Sequence, residues 1–416
     1  MQEQTAATAE KVQVRCCIAG GGPAGMMLGF LLARAGVEVL VLEKHGDFLR
    51  DFRGDTIHPS TLQLMHELGM LEDLLRRPHQ QAHQLTGYVS DWEVVVVDFS
   101  HLPTRCRFVA FMPQWDFLNF LDERGRRYPT FHVRMQTEVT GLLVEGERVR
   151  GVSATTPAGP LEVRAELVVG ADGRHSTVRD RAGLEVQDLG APIDVLWMRL
   201  SRRPGDPRQP LGRFDRGKIF VMLDRGDYWQ CAYVIPKGGI EEIRQRGLDA
   251  FRDAVAAIAP FMRDRVGELR DWNDIKLLTV VVDRPASWYR PGLLCIGDAA
   301  HAMSPIGGVG INLAIQDAVA AANILAKPLR EGAVTAADLG KVQRRRMFPT
   351  RLTQSLQVFI QNRVISRVLA GQQRLALPWP LRLLRRWPFL RRIPARVIGI
   401  GFRPEHVRTP DAFASG

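Results

Sequence analysis

Short apolar runs that end in glycine alternate along this 416-residue chain with longer helical patterns. Residues 12–18 (Val-Gln-Val-Arg-Cys-Cys-Ile) read as a strand that runs into Gly20-Gly21-Gly22-Pro23-Ala24-Gly25. An apolar helix over 26–35 follows, stopped by Gly36, and 37–42 is a second buried strand ending in Glu43. The chain therefore opens with a strand–turn–helix–turn–strand unit. Ser60 is expected to cap a helix over 62–67 that Gly69 interrupts. Further on, 115–127 reads as helix, and 162–169 as a strand ending in Gly170-Ala171-Asp172-Gly173. A strand over 293–296 precedes Gly297-Asp298 and a glycine-rich turn, and 312–326 is an alanine-rich helix.

Strand character also marks 85–99, 194–200, 218–223 and 228–235. The last two flank Asp224-Arg225-Gly226-Asp227, a hairpin turn by composition. Mixed segments at the start, middle and late chain are thus interleaved with two blocks of strands. This order predicts an α/β fold in which one discontinuous domain (12–84, 102–190 and 283–371) receives an inserted β-sheet domain (85–101 and 191–282). Residues 372–416, broken by proline and rich in arginine and aromatics, are set apart as a C-terminal element.

Composition narrows the class. With 45% hydrophobic and 24% charged residues, the chain is neither disordered nor a fibrous repeat. No uncharged apolar run of about 18 residues is present, so no spanning helix is expected. The polar start, 1–10, lacks the pattern of a secretory signal. Cys16, Cys17, Cys106, Cys231 and Cys295 form no C-x-x-C pair, which suits reduced thiols in the cytoplasm and no metal site. The net charge of +11 is uneven: from Lys341 onward 16 basic residues face 2 acidic ones. Because 49 of the 56 basic residues are arginine, abundance alone does not indicate nucleic acid, and none is expected as a partner.

Three motifs carry chemistry. Gly20-x-Gly22-x-x-Gly25 between strand and helix lets backbone approach a pyrophosphate, and the helix start turns N–H groups and a positive dipole end towards it. Glu43, eighteen residues after Gly25, can accept from ribose hydroxyls. The second motif runs Gly170-Ala171-Asp172-Gly173-Arg174-His175-Ser176-Thr177-Val178-Arg179, with Ser176 a candidate helix cap. The third is Gly297-Asp298-Ala299-Ala300-His301, continuing through Pro305, Gly307, Gly308 and Gly310 to Asn312 and Asp317.

In this order the three segments resemble the dinucleotide fingerprint, DG motif and GD motif of the single-component, FAD-dependent (group A) monooxygenases, the p-hydroxybenzoate hydroxylase-like family. The resemblance spans about 12–325 and implies that family's fold, a Rossmann-like FAD domain carrying an inserted sheet. It implies FAD as cofactor, NADH or NADPH as transient reductant, and hydroxylation of an aromatic or quinone-like molecule through a flavin C4a-hydroperoxide. By position, Gly20, Gly22, Pro23, Ala24, Gly25, Glu43 and Lys44 would hold the adenosine diphosphate half, with Gln114 on the adenosine side. Gly297 and Asp298 would meet the ribityl chain, and Gly308, Val309, Gly310, Ile311 and Asn312 the isoalloxazine. Asp172 and Arg179 would organise the segment serving FAD and nicotinamide. Arg53, followed by Gly54, would lie near the flavin path and Pro305 over the ring; Arg53, Pro305 and Gly308 are the candidate catalytic positions.

For the substrate face, Trp197, Arg199, Met222, Tyr228 and Trp229 lie on the expected inserted strands, where ordinary packing is the competing reading. His301 is read as a structural histidine, and His79 with His83 as a surface pair. A halogenase on this scaffold would carry a W-x-W-x-I-P strand, but Cys231-Ala232-Tyr233-Val234-Ile235-Pro236 retains neither Trp. A flavin-dependent reductase and a non-catalytic FAD-binding regulator remain as alternatives. The basic C-terminal element is read first as a cap on the body, with peripheral membrane contact as the competing reading.

Overall fold

The computed structural model describes residues 9–49, 56–207, 211–371 and 373–414. At its centre, five strands run parallel in the order Leu293–Cys295, Gly159–Gly170, Glu10–Ala19, Val39–Leu42 and Phe131–Arg134. Their near-continuous Val, Ile, Leu and Cys side chains are buried, as a sheet covered on both faces requires. Three antiparallel strands complete an eight-stranded sheet. The helix Pro23–Arg34 packs against the long helix Gly310–Glu331, which in turn packs against Ala336–Ile360.

A second sheet has seven strands, ordered Lys276–Leu278, Ile193–Ser201, Tyr228–Pro236, Lys218–Asp224, Leu211–Asp215, Gln84–Val89 and Trp92–Asp98. Alternation gives it two faces. Leu196, Met198, Phe220, Met222, Trp229 and Cys231 form one core with the helix Leu248–Ile258. Val195, Ile219, Ala232 and Val234 pack on the other face against Ile365 and Val368, joined by Trp197 and Ile306. A three-stranded sheet, Thr56–Ile57, Val109–Phe111 and Gln80–Ala82, is also present.

Two local expectations need correction. Residues 85–99 are not one strand but a hairpin, turned at Ser90, whose φ of 50° bends the chain back. The second helix begins at Pro59 with His58 as N-cap, because the fixed φ of proline suits the first helical position; Ser60 lies inside the first turn. One segment, Ile306–Glu331, is long and apolar enough to cross a membrane, but 67% of its apolar window is buried within the molecule, so it is a core helix. The C-terminal residues are strapped to the body. Leu377 packs with Val89 and Val94, Ala395 with Phe99 and Leu102, and Asp411 accepts from the Tyr128 hydroxyl at 3.0 Å.

Candidate functional site

All three motifs begin where a parallel strand stops. In register, Ala19 lies beside Gly170 on one side and Leu42 on the other, and Gly170 lies beside Cys295. Gly20, Ala171, Ile296 and Glu43 therefore leave the sheet along one edge, the carboxyl end, where open α/β sheets bind ligands. The fingerprint turn is tight. Gly20 has φ of 104°, and a Cβ there would lie 2.4 Å from the Ala171 carbonyl oxygen. A Cβ on Gly25 would lie 2.0 Å from the Gly20 carbonyl oxygen, whereas one on Gly22 would meet nothing within 4 Å. Gly22 thus opens onto free space at the start of Pro23–Arg34, a helix end that no side chain caps. This backbone fits a pyrophosphate.

Glu43 is buried beside the turn. Its carboxylate accepts from the Gly21 N–H at 2.9 Å and the His45 N–H at 3.0 Å, which fixes the group beside the turn. Lys44 next to it is exposed, and Gln114 is buried as the first residue of Gln114–Gly125.

The second and third motifs are tied to each other and to the first. Ser176 caps Thr177–Arg181 by accepting from the Arg179 N–H, and its hydroxyl donates to Asp172 at 2.5 Å. Burial pushes the Asp172 carboxyl up, opposed by the hydrogen bonds from Ser176 and the Val178 N–H. The buried Arg179 guanidinium donates to the Arg174 carbonyl at 2.8 Å and the Ala299 carbonyl at 3.4 Å, linking the two turns. A Cβ on Gly297 would lie 3.1 Å from the Ala24 Cβ and 3.2 Å from that of Ala314. The turn bearing Asp298 therefore sits directly against the fingerprint helix.

Behind that turn lies a buried network. Asp317 accepts from the Gly297 N–H at 3.1 Å, from His301 Nε2 at 2.5 Å and from Arg346 Nε at 2.8 Å. Burial pushes the Asp317 carboxyl up, but His301 and Arg346 together hold it below its usual value. Arg346 also donates to Glu405, which accepts two further bonds from Arg345. His301 stands beside the Trp288 ring, 5.1 Å between centroids, in a structural setting.

Gly307 and Gly308, with φ of 77° and 61°, make the turn into Gly310–Glu331, another helix start without a side-chain cap. Asn312 clamps this turn to the segment after the undescribed residues. Its amide donates to the carbonyls of Thr56 and Gly308, and its oxygen accepts from the His58 N–H and the Thr61 hydroxyl. Thr56 donates to the Gly308 carbonyl at 2.9 Å. Burial pulls the His58 imidazole down to about 4, against a hydrogen bond to the Ile398 carbonyl that raises it. Arg53 and Gly54 lie outside the described residues.

On the seven-stranded sheet the five candidate substrate residues separate. Met222 and Trp229 are fully buried in the core beneath Leu248–Ile258, and the Trp229 indole donates to Asp206 at 2.9 Å. Period-two alternation turns them away from Ile306 and the glycine turn, so they leave the substrate surface. Trp197 packs on the face that Ile306 joins, and the Arg199 guanidinium lies 4.8 Å from the centroid of the Tyr228 ring. His79 and His83 flank the strand Gln80–Ala82 rather than sharing a helix face, and each ring bonds a backbone carbonyl. No cluster of three metal-ligating side chains occurs among the described residues.

Sequence reading missed Thr56, His58, Arg346 and Glu405. The first two follow Arg53-Gly54 in a polar run that precedes an apolar helix, a weak signal. Glu405 is one of only two acids after Lys341, which marks it as a candidate for burial against arginine.

Comparison with known proteins agrees with this geometry. The profile of a family described as FAD binding domain matches residues 12–355. The 6-methylpretetramide 4-monooxygenase of Streptomyces rimosus is 35% identical over 407 residues, covering 96% of this chain and 95% of the relative. The dialkyldecalin synthase of Streptomyces rugosporus is 31% identical over 73% of this chain, which spans 63% of that protein. Among solved structures, OxyS anhydrotetracycline hydroxylase from Streptomyces rimosus superposes with a TM-score of 0.73 at 25% identity, covering 93% of this chain and 76% of that one. The chain belongs to the FAD binding domain family and is a flavin-dependent, NAD(P)H-consuming monooxygenase of the p-hydroxybenzoate hydroxylase-like fold.

Proposed function

We propose that this monooxygenase hydroxylates a polycyclic aromatic small molecule of the polyketide type. Bound FAD supplies the redox and oxygen chemistry; the chain supplies placement and charge. In this reading the N–H groups around Gly22 to Gly25 hold the pyrophosphate, Glu43 the ribose, and Gln114 and Lys44 flank the adenosine side. Asp298 holds the ribityl chain. The uncapped start of Gly310–Glu331 turns its dipole and the N–H groups of Gly310 and Ile311 towards the electron-rich edge of the ring, favouring negative charge there. Arg179 and Asp172 brace the DG turn, and Pro305 would border the ring.

Substrate would lie between the Pro305–Gly308 turn and the face of the seven-stranded sheet that bears Trp197. The segments 12–84, 102–190 and 283–371 would form the FAD domain, 85–101 and 191–282 the substrate domain, and 372–416 a strap across both. All five cysteines are buried and free, which suits the cytoplasm.

The observation that carries this reading is the common edge of the three motifs, with Gly297 packed on Ala24. The substrate class is supported by the 35% identical relative named for 6-methylpretetramide. To test it, FAD-loaded protein is offered NADH or NADPH with polycyclic phenols and with simple phenols. Substrate-stimulated nucleotide oxidation and a product heavier by one oxygen atom with the polycyclic compounds alone are expected. Turnover of simple phenols alone would overturn the substrate class.

A further inference from the structure

The cap reading of the C-terminal element accounts for only half of its side chains. Leu377, Ala395 and Gly399 face the body, and a Cβ on Gly399 would lie 2.8 Å from Leu102. Trp379, Trp387, Phe389 and Ile393 point away from it, with exposures of 71%, 47%, 60% and 63%. Among the described residues, nine of the fifteen exposed large hydrophobic side chains fall between Phe348 and Ile393. Free energy favours burying such groups, so a cluster of this kind marks a contact surface.

Its charge is equally one-sided. From residue 339 to 404 there is no Asp or Glu, against 15 Lys and Arg. Arg382, Arg385, Arg386, Arg392 and Arg396 are exposed, and none forms an ion pair among the described residues. Arg385 lies 4.7 Å from the centroid of the Trp92 ring, adding one more half-exposed indole to the same surface.

We propose that the segment Trp379–Arg396 docks this protein on an anionic lipid surface. Indole and phenyl rings settle at headgroup depth, and guanidinium groups meet lipid phosphates. A bilayer suits this surface better than a protein helix. The segment consists of two eight-residue helices joined by a short 3-10 turn at Pro388, too broken to offer a long groove. Lipid headgroups adapt to irregular aromatic tips, whereas a protein partner needs a matched shape. Because the helices are already anchored through Leu377 and Ala395, docking requires no refolding. Ile398, two residues beyond this segment and packed towards the body, lies 3.9 Å from where a Cβ on Gly307 would stand. The proposal holds whatever substrate the site accepts.

The test is sedimentation of the full-length, FAD-loaded protein with vesicles of phosphatidylcholine alone or with about 30% phosphatidylglycerol. Two variants accompany it: one combines Trp379→Ser, Trp387→Ser, Phe389→Ser and Ile393→Ser, the other Arg382→Gln, Arg385→Gln, Arg386→Gln and Arg392→Gln. Retained flavin absorbance reports that each is folded. The wild type is expected to pellet with the anionic vesicles only and to be released by about 0.5 M salt, and each variant to partition at least about tenfold less. Three results would overturn the proposal: no pelleting of the wild type, equal pelleting with neutral vesicles, or a folded variant that partitions like the wild type. Light scattering adds a fourth: a wild-type dimer that the serine variant converts to monomer would make this surface a subunit interface.

Discussion

The two large sheets of this molecule place function in different ways. In the parallel sheet the working groups are backbone atoms at strand ends, and the side chains along the strands are ordinary core. In the seven-stranded sheet the pleat sorts side chains onto two faces, one beneath Leu248–Ile258 and the other beside Ile306. A backbone site needs glycine at fixed positions and tolerates almost no substitution there. A side-chain site needs only that alternate residues differ, and it can be rewritten without disturbing the fold.

The sharpest way to break this contrast is at Gly25. In Gly25→Ala a methyl group would stand 2.0 Å from the Gly20 carbonyl oxygen, so the turn must open. FAD affinity, measured by flavin fluorescence on apoprotein, should fall at least about a hundredfold.

Each half also holds a buried ion pair, and removing one partner should cost about 3–5 kcal/mol in urea unfolding in both cases. Their consequences for flavin should differ. Asp317→Asn weakens the network behind the Gly297 turn and should release FAD. Asp206→Asn breaks the contact with the buried Arg265, at 2.6 Å, and should leave FAD affinity unchanged in the protein that remains folded. Burial raises the Asp206 carboxyl, but Arg265, the Arg203 N–H and the Trp229 indole together hold it well below its usual value. That stabilisation is complete above the unfolded-state value near pH 4 and is lost as pH falls through the lowered one. The slope of stability against pH in acid should therefore flatten in Asp206→Asn.

His58 gives a milder effect in a higher range. Its imidazole is neutral in the fold down to about 4 but takes a proton near 6.5 in the unfolded chain. Stability should thus decline as pH falls from about 6.5 to 4, and His58→Gln should remove that decline, read by thermal unfolding across the range. The smallest change is expected on the seven-stranded sheet. Tyr228→Ala loses a partly exposed cation–π contact with Arg199, worth about 0.5–1 kcal/mol, and should leave FAD affinity intact. If KM for substrate rises while flavin binding is constant, side chains on that sheet act in recognition as the contrast requires.

The parallel half was legible because glycine, proline and acidic residues at strand ends have few physical roles. Gly20, Gly25 and Gly297 announce close backbone approaches, and the structure shows what each approaches. The seven-stranded sheet was legible only as strands. Trp197 and Trp229 look equally suited to a ligand surface, yet only the pleat decides which of them faces the glycine turn. The hairpin at Ser90 carried only a short local signal, Ser90-Asp91 between two strand-like runs, and the Asp215 carboxylate that holds the Ser90 hydroxyl is 125 residues away.

By itself, then, the sequence determined the class of fold, the cofactor and the three turns at the strand ends, because local backbone geometry and helix dipoles are properties of neighbouring residues. Tertiary structure alone decided that Glu405 braces Arg346 and Asp317 behind the Gly297 turn, which face of the seven-stranded sheet packs beside Ile306, and which C-terminal aromatics remain in water. Those outcomes depend on contacts between residues far apart in the chain, where burial and pairing are set by how the elements pack and not by any residue's neighbours.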